Sequence, residues 1–150
     1  MFSKHEIEEA QAAWGAGVVA VGQAPSWQQA HGRAEQLVQA HYVLDGHLLF
    51  KPTKAAVHPF RRTQQAAVSY FVGRNQEYPE DQGFALEPWT AVRFVNVDVV
   101  CRGEVAMAMG NYFFARADGS EIKVEFSFVY VRDEQGIKIQ LHHSALPFGD

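Results

Sequence analysis

The sequence predicts an α+β domain: helices first, then a curved antiparallel sheet that wraps around them as a cone and leaves a pocket at its open end. Three observations lead there. Capping signals at Ser3 and Ser26 each open an apolar stripe of helical period. From residue 89 to residue 146 the chain consists of strand-like runs rich in Val, Ile, Phe and Tyr. Short glycine-bearing breaks divide those runs, so sequential strands pair through hairpins as a meander. A meander cannot bury its apolar face alone, and the preceding helices supply the missing layer.

The first helix is expected over residues 3–22. Ser3 and Glu6 form a capping box, and Phe2 with Ile7 a hydrophobic staple. Ala10, Trp14, Val18 and Val21 continue the stripe. Gly15 and Gly17 weaken the helix by up to about 1 kcal/mol each and suit close packing against another element. Pro25 closes the segment. Ser26 and Gln29 repeat the capping pattern for a second helix to about Tyr42, with Trp27, Ala34, Leu37, Val38 and His41 on its stripe. Asp45-Gly46 reads as a turn, and Leu48-Leu49-Phe50 as a short strand ended by Pro52. A third helix is expected over about 60–73, from the Arg61-Arg62 pair to Gly73. Residues 74–88 read as a surface loop. Strands follow over 89–100, 103–116, 120–132 and 137–146, with turns at Arg102-Gly103, Asp118-Gly119 and Glu134-Gln135-Gly136. No linker or repeat interrupts the chain, so residues 1–150 are expected to form one domain.

Composition narrows the function classes. Hydrophobic residues make up 47% and charged residues 20% of the 150, enough for a core that needs no disulfide or structural metal. The balance of 13 basic and 17 acidic residues, a net −4, disfavours binding to nucleic acid. Cys101 is the single cysteine, which excludes an internal disulfide and a zinc ribbon and points to a reducing compartment. No apolar stretch approaches the ~20 residues that span a bilayer, and no secretory signal is visible. The expected location is cytoplasmic, or an organelle stroma if a targeting peptide has been removed. Both faces of the last strands carry apolar side chains. Val129 and Val131 on the outer face therefore predict a homodimer or higher homo-oligomer. Met107 and Met109 read as core filling, and Glu125 as a partner for Arg93.

The strongest chemical signal is Leu141-His142-His143-Ser144-Ala145 at the end of the last strand. Alternation places His142 and Ser144 on one face with Lys138 and Gln140. His143 lies on the other with Ile137, Ile139 and Leu141. An imidazole beside a hydroxyl can move protons near neutral pH, or can simply satisfy a strand end. Tyr70 and Thr53 add hydroxyls that either join this site or serve as core tyrosine and turn threonine. A metal site would need scattered ligands such as His41, His47 and His58, because His142 and His143 point apart. No Gly-x-Ser-x-Gly turn supports a serine hydrolase, and no glycine-rich loop supports phosphate binding.

Several segments together carry a resemblance. They are Leu49-Phe50-Lys51-Pro52-Thr53, Ser69-Tyr70-Phe71, Asp81-Gln82-Gly83-Phe84 into Pro88-Trp89-Thr90, Met109-Gly110-Asn111-Tyr112, and Leu141-His142-His143-Ser144. Over nearly the whole chain the sequence resembles the metal-free group of iota-class carbonic anhydrases. These are related to the association domain of calcium/calmodulin-dependent kinase II, within the nuclear-transport-factor-like (SnoaL-like) superfamily. The resemblance implies a cone fold and reversible hydration of carbon dioxide to bicarbonate without metal or other cofactor. It also implies a pocket in which Thr53, Tyr70, His142 and Ser144 hold bicarbonate, with His142 accepting or relaying the proton. The family pattern usually ends His-His-Ser-Ser; here Ala145 takes the last place, on the side facing away from Ser144. A cyclohydrolase name used for some relatives fits poorly, since that chemistry employs cysteine ligands. A non-catalytic oligomerisation or ligand-binding module, or an enzyme acting on another small substrate, remains an alternative on the same fold.

Overall fold

A computed structural model describes residues 1–149. Helix α1 runs over Lys4–Gly22 and α2 over Trp27–His41, and both begin where the capping signals lie. The Ser3 hydroxyl accepts from the Glu6 N–H and the Glu6 carboxylate accepts from the Ser3 N–H, so the capping box closes from both sides. At α2 only half of that pattern forms: Ser26 Oγ accepts from the Gln29 N–H. Phe2 and Ile7 are buried, as a staple requires. The two glycines of α1 face close neighbours. A Cβ on Gly15 would sit 3.0 Å from Val92, and one on Gly17 would sit 2.6 Å from Leu37 of α2.

Strand β1 (Leu49–Lys51) precedes α3 (Gln64–Val72). Helix α3 starts later than the Arg61-Arg62 pair suggested. The Arg61 N–H is drawn to the Phe50 carbonyl at 2.7 Å instead of a helical partner, and Thr63 then caps the helix through the Ala66 N–H. The loop that follows holds one 3₁₀ turn, Phe84–Leu86. The meander is β2 (Ala91–Arg102), β3 (Val105–Ala115), β4 (Glu121–Asp133) and β5 (Gly136–Ala145). The sheet order is β1-β5-β4-β3-β2, with β1 parallel to β5 and every other pair antiparallel.

The helices pack on one face of this sheet. Tyr112 and Phe114 of β3 and Val124, Phe126, Phe128 and Tyr130 of β4 turn inward and are buried with Trp14, Val18 and Phe71. Met107 and Met109 do not fill the core: alternation turns them outward, and Met109 is 59% exposed. Glu125 is exposed on the same outer face, while Arg93 pairs at 3.1 Å with Glu121 instead.

Two irregularities set the site. The pairing of β2 with β3 slips between Asn96 and Asp98, and that of β4 with β5 slips between Val129 and Tyr130. The second slip leaves Gln140 as an extra residue on β5, so alternation restarts there. Ile139, expected beside His143, is buried and pairs with Tyr130, while His142 pairs with Phe128 and Ser144 with Phe126. His142, Ser144 and Ile139 thus share the inner face, and His143 is exposed.

Candidate active site

Three segments of chain meet at the end of β5. Parallel pairing aligns Phe50 of β1 with His142, so the chain leaving β1 carries Pro52 and Thr53 past Ser144. Thr53 Oγ1 lies 2.6 Å from Ser144 Oγ. Tyr70 arrives from α3, and its hydroxyl accepts the Lys54 N–H at 3.1 Å. Thr53, Tyr70, His142 and Ser144 all border one small cavity, walled otherwise by aromatic side chains, among them Trp14, Phe50, Phe71, Phe84 and Phe114. The cavity offers about 10 Å³ to the centre of a water-sized molecule, which is roughly the room one water needs. Tyr70 and Phe84 also border a cleft of about 450 Å³ that opens outward past Lys54 and Glu80.

Along the cavity wall, which Tyr112 also borders, runs a hydrogen-bonded chain that the sequence did not disclose. Tyr112 of β3 reaches across β4 and donates its hydroxyl hydrogen to Ser144 Oγ. The same hydroxyl lies 3.0 Å from His142 Nε2. On the far side His142 Nδ1 lies 2.9 Å from the hydroxyl of Tyr42, which accepts the Trp14 indole N–H at 3.0 Å. Tyr42 caps the C-terminus of α2, Trp14 comes from α1, and all of these side chains are buried. Among the described residues no buried side-chain nitrogen or oxygen lacks a partner. Tyr112 and Tyr42 carried one available signal: a tyrosine at an inward position needs a partner for its hydroxyl.

Burial sets the charge state of the cluster. It pushes the phenols of Tyr42, Tyr70 and Tyr112 up, and the hydrogen bond with Ser144 offsets only part of this for Tyr112. It pulls the His142 imidazole well below its usual value, with His143 adding to the effect. The rings of Phe128 and Phe50 stack on His142 at 4.2 and 4.7 Å between centroids. At neutral pH the site is therefore an uncharged set of hydroxyls and one neutral imidazole inside an apolar wall. Such a set can orient a small polar molecule and stabilise negative charge that develops on it. Among the described residues no three His, Cys, Asp or Glu side chains gather as metal ligands. His41, His47 and His58 belong to no such group. Ala145 borders an outer-face depression with His143, away from Ser144, as alternation predicted.

Comparison with known proteins gives a consistent result. Residues 5–146 match the family model described as metal-independent carbonic anhydrase. A metal-independent carbonic anhydrase from Nostoc sp. is 35% identical over 155 residues, covering 97% of this chain and 74% of that protein. The crystal structure of the iota-carbonic anhydrase from a cyanobacterium, complexed with bicarbonate, superposes with a TM-score of 0.94 at 34% identity. That match covers 99% of this chain and 94% of the other. A protein from Xanthomonas campestris named for the calcium/calmodulin-dependent protein kinase II association domain superposes with a TM-score of 0.66 at 14% identity, over 100% of this chain and 91% of that one. An NTF2-like protein from Novosphingobium aromaticivorans gives 0.62 at 16%, over 98% and 83%. These last two share the cone fold alone.

Proposed function

The chain belongs to the metal-independent carbonic anhydrases, and we propose that its reversible hydration of carbon dioxide to bicarbonate takes place in the cavity bordered by Thr53, Tyr70, His142 and Ser144. The observation that carries this assignment is the convergence of hydroxyls from separate elements on one aromatic-walled space. The bicarbonate held by the cyanobacterial relative supports it. Carbon dioxide is apolar overall and suits the aromatic wall. Attack by water forms one C–O bond and moves the electron pair of one C=O bond onto oxygen. The Thr53, Tyr70 and Ser144 hydroxyls meet that oxygen as preorganised donors in a site of low dielectric. One proton is released and leaves to solvent through the cleft that shares Tyr70 and Phe84 with the cavity.

The same reading extends to the surroundings. A homodimer formed through the outer sheet face fits the exposed Val97 and Met109, and the net −4 argues against nucleic acid as a partner. A reducing, cytoplasm-like compartment fits the lone Cys101, and no helix among the described residues is long and apolar enough to cross a membrane.

Stopped-flow hydration assays test the site. Ser144→Ala and Tyr70→Phe each remove one hydroxyl and leave its donor unpaired, which costs the fold about 1–3 kcal/mol. Each should lower turnover by about 10-fold or more, a barrier change of ~1.4 kcal/mol, and the double variant should lose less than the product of the two. A folded wild-type protein with no hydration above buffer would instead favour a binding module, and full activity in Ser144→Ala would move the site elsewhere.

A further inference from the structure

The hydrogen-bonded chain beside the cavity has a direction, and its source is the indole of Trp14. An indole N–H can only donate, so the bond from Trp14 Nε1 to the Tyr42 hydroxyl oxygen is fixed in sense. Tyr42 has one hydrogen of its own, and the acceptor the structure gives it is His142 Nδ1 at 2.9 Å. Were His142 to carry its proton on Nδ1, it would donate to Tyr42, and the Tyr42 hydrogen would be left without a partner at a side chain only 1% exposed. Unpaired buried donors are avoided elsewhere among the described residues. Nδ1 is therefore the bare nitrogen and Nε2 carries the hydrogen. Nε2–H then donates to the Tyr112 oxygen at 3.0 Å, which leaves the Tyr112 hydrogen free for Ser144 Oγ. Ser144 lies 2.6 Å from Thr53 and can pass its own hydrogen on to it. Each link hands a donor to the next, ending at Thr53.

We infer that Tyr42 is a positioning residue: held in sense by Trp14, it fixes His142 as the Nε2–H tautomer, which commits the Tyr112 hydrogen to Ser144 and leaves the hydroxyl hydrogens of Ser144 and Thr53 as the ones that can reach the substrate. His142 in this arrangement stands behind Tyr112 as a donor and does not accept the proton that leaves water. Burial of the imidazole works in the same direction, because an imidazolium would need acceptors at both nitrogens. The consequence for turnover rests on the carbonic anhydrase reading; the tautomer does not.

Long-range proton–nitrogen correlation spectra of the full chain, labelled with ¹⁵N at histidine, test the inference, with stopped-flow hydration measured alongside. In wild type His142 should show a pyridine-like Nδ1 and a pyrrole-like Nε2 at neutral pH. Ser144→Ala should keep that signature, since the bonds from Trp14 to Tyr42 and His142 are untouched. Tyr42→Phe should lose it, with a shift toward the Nδ1–H tautomer or a mixture, and kcat should fall about tenfold with little change in KM. A wild-type His142 that is Nδ1–H or doubly protonated overturns the inference, even if Tyr42→Phe fails to fold. So does a folded Tyr42→Phe protein with the wild-type signature and rate. A wild-type protein with the expected tautomer but no hydration activity supports the positioning and ends only the carbonic anhydrase reading.

Discussion

Burial, reinforced by the charge of Lys138, pulls the His41 imidazole down to about 4. The Lys138 ammonium itself donates to the Gln39 and Ala40 carbonyls at 2.6 and 3.1 Å, at the C-terminal end of α2 where a cation is favoured. His142 is likewise held neutral by burial. In the unfolded chain both imidazoles titrate near the ordinary value of ~6.5. Below that pH the unfolded state binds more protons than the folded one. Stability is therefore full at neutral pH and is lost as the pH falls, on the order of 1 kcal/mol at about pH 5.5 for His41. Urea midpoints taken at about pH 7.5 and about pH 5.5 should fall for wild type and fall less for His41→Gln. Equal falls would remove His41 as a source. Thr53, Tyr70, His142 and Ser144 differ from His41 in lining the cavity, and their effect belongs to turnover more than to stability.

At the scale of elements, the loop that delivers Thr53 is held by charge. Arg61 is fully buried and grips Asp81 through two bonds of 2.7 Å, while its other N–H groups donate to the His58 and Ala66 carbonyls. Asp81 also accepts the Ser69 hydroxyl at 2.5 Å, so the loop after β1, α3 and the loop after α3 share one polar node. The Glu80 carboxylate accepts the N–H groups of Ala56, Val57 and His58, which lowers its pKa to about 2. Replacing Arg61 by Met strands the Asp81 carboxylate in the interior, and such a loss costs about 3–5 kcal/mol. Denaturant unfolding of Arg61→Met reads this directly, and a loss below about 1 kcal/mol would show that the node is dispensable. None of this node was legible in the sequence, because it joins residues through space and no spacing marks it. The capped helices, the hairpin breaks and the strand residues His142 and Ser144 were legible, since caps, turns and alternation are local. Alternation failed at Gln140, where one extra residue restarts the count and moves Ile139 inward. Tyr42 and Tyr112 escaped as site residues for a related reason: only the assembled sheet and the end of α2 bring their hydroxyls to the two nitrogens of one ring.

The whole molecule covers one face of its sheet with helices and leaves the other bare. Val97 is 81% exposed at the β2 irregularity, and Met107 and Met109 line β3 beside it. Val97, Met109, His143 and Ala145 border one outer depression of about 300 Å³. An apolar patch that crosses several strands is uncommon on a free monomer surface, and a twisted sheet face is self-complementary to a second copy of itself about a two-fold axis. The cavity with Thr53, Tyr70 and Ser144 lies on the opposite, helix-covered face, so association there leaves substrate access open. In a two-fold dimer Met109 of one copy would meet the same region of the other, and a charge placed there is desolvated twice over. Multi-angle light scattering of wild type should give at least a dimer. Met109→Lys should shift the particle toward monomer while circular dichroism stays unchanged, because the side chain it replaces makes no part of the core. Hydration by the monomeric variant should stay within about threefold of wild type, well short of the ~1.4 kcal/mol that a tenfold change represents. A wild-type protein that is monomeric at every concentration would leave the outer face without a partner copy and remove the dimer from this account.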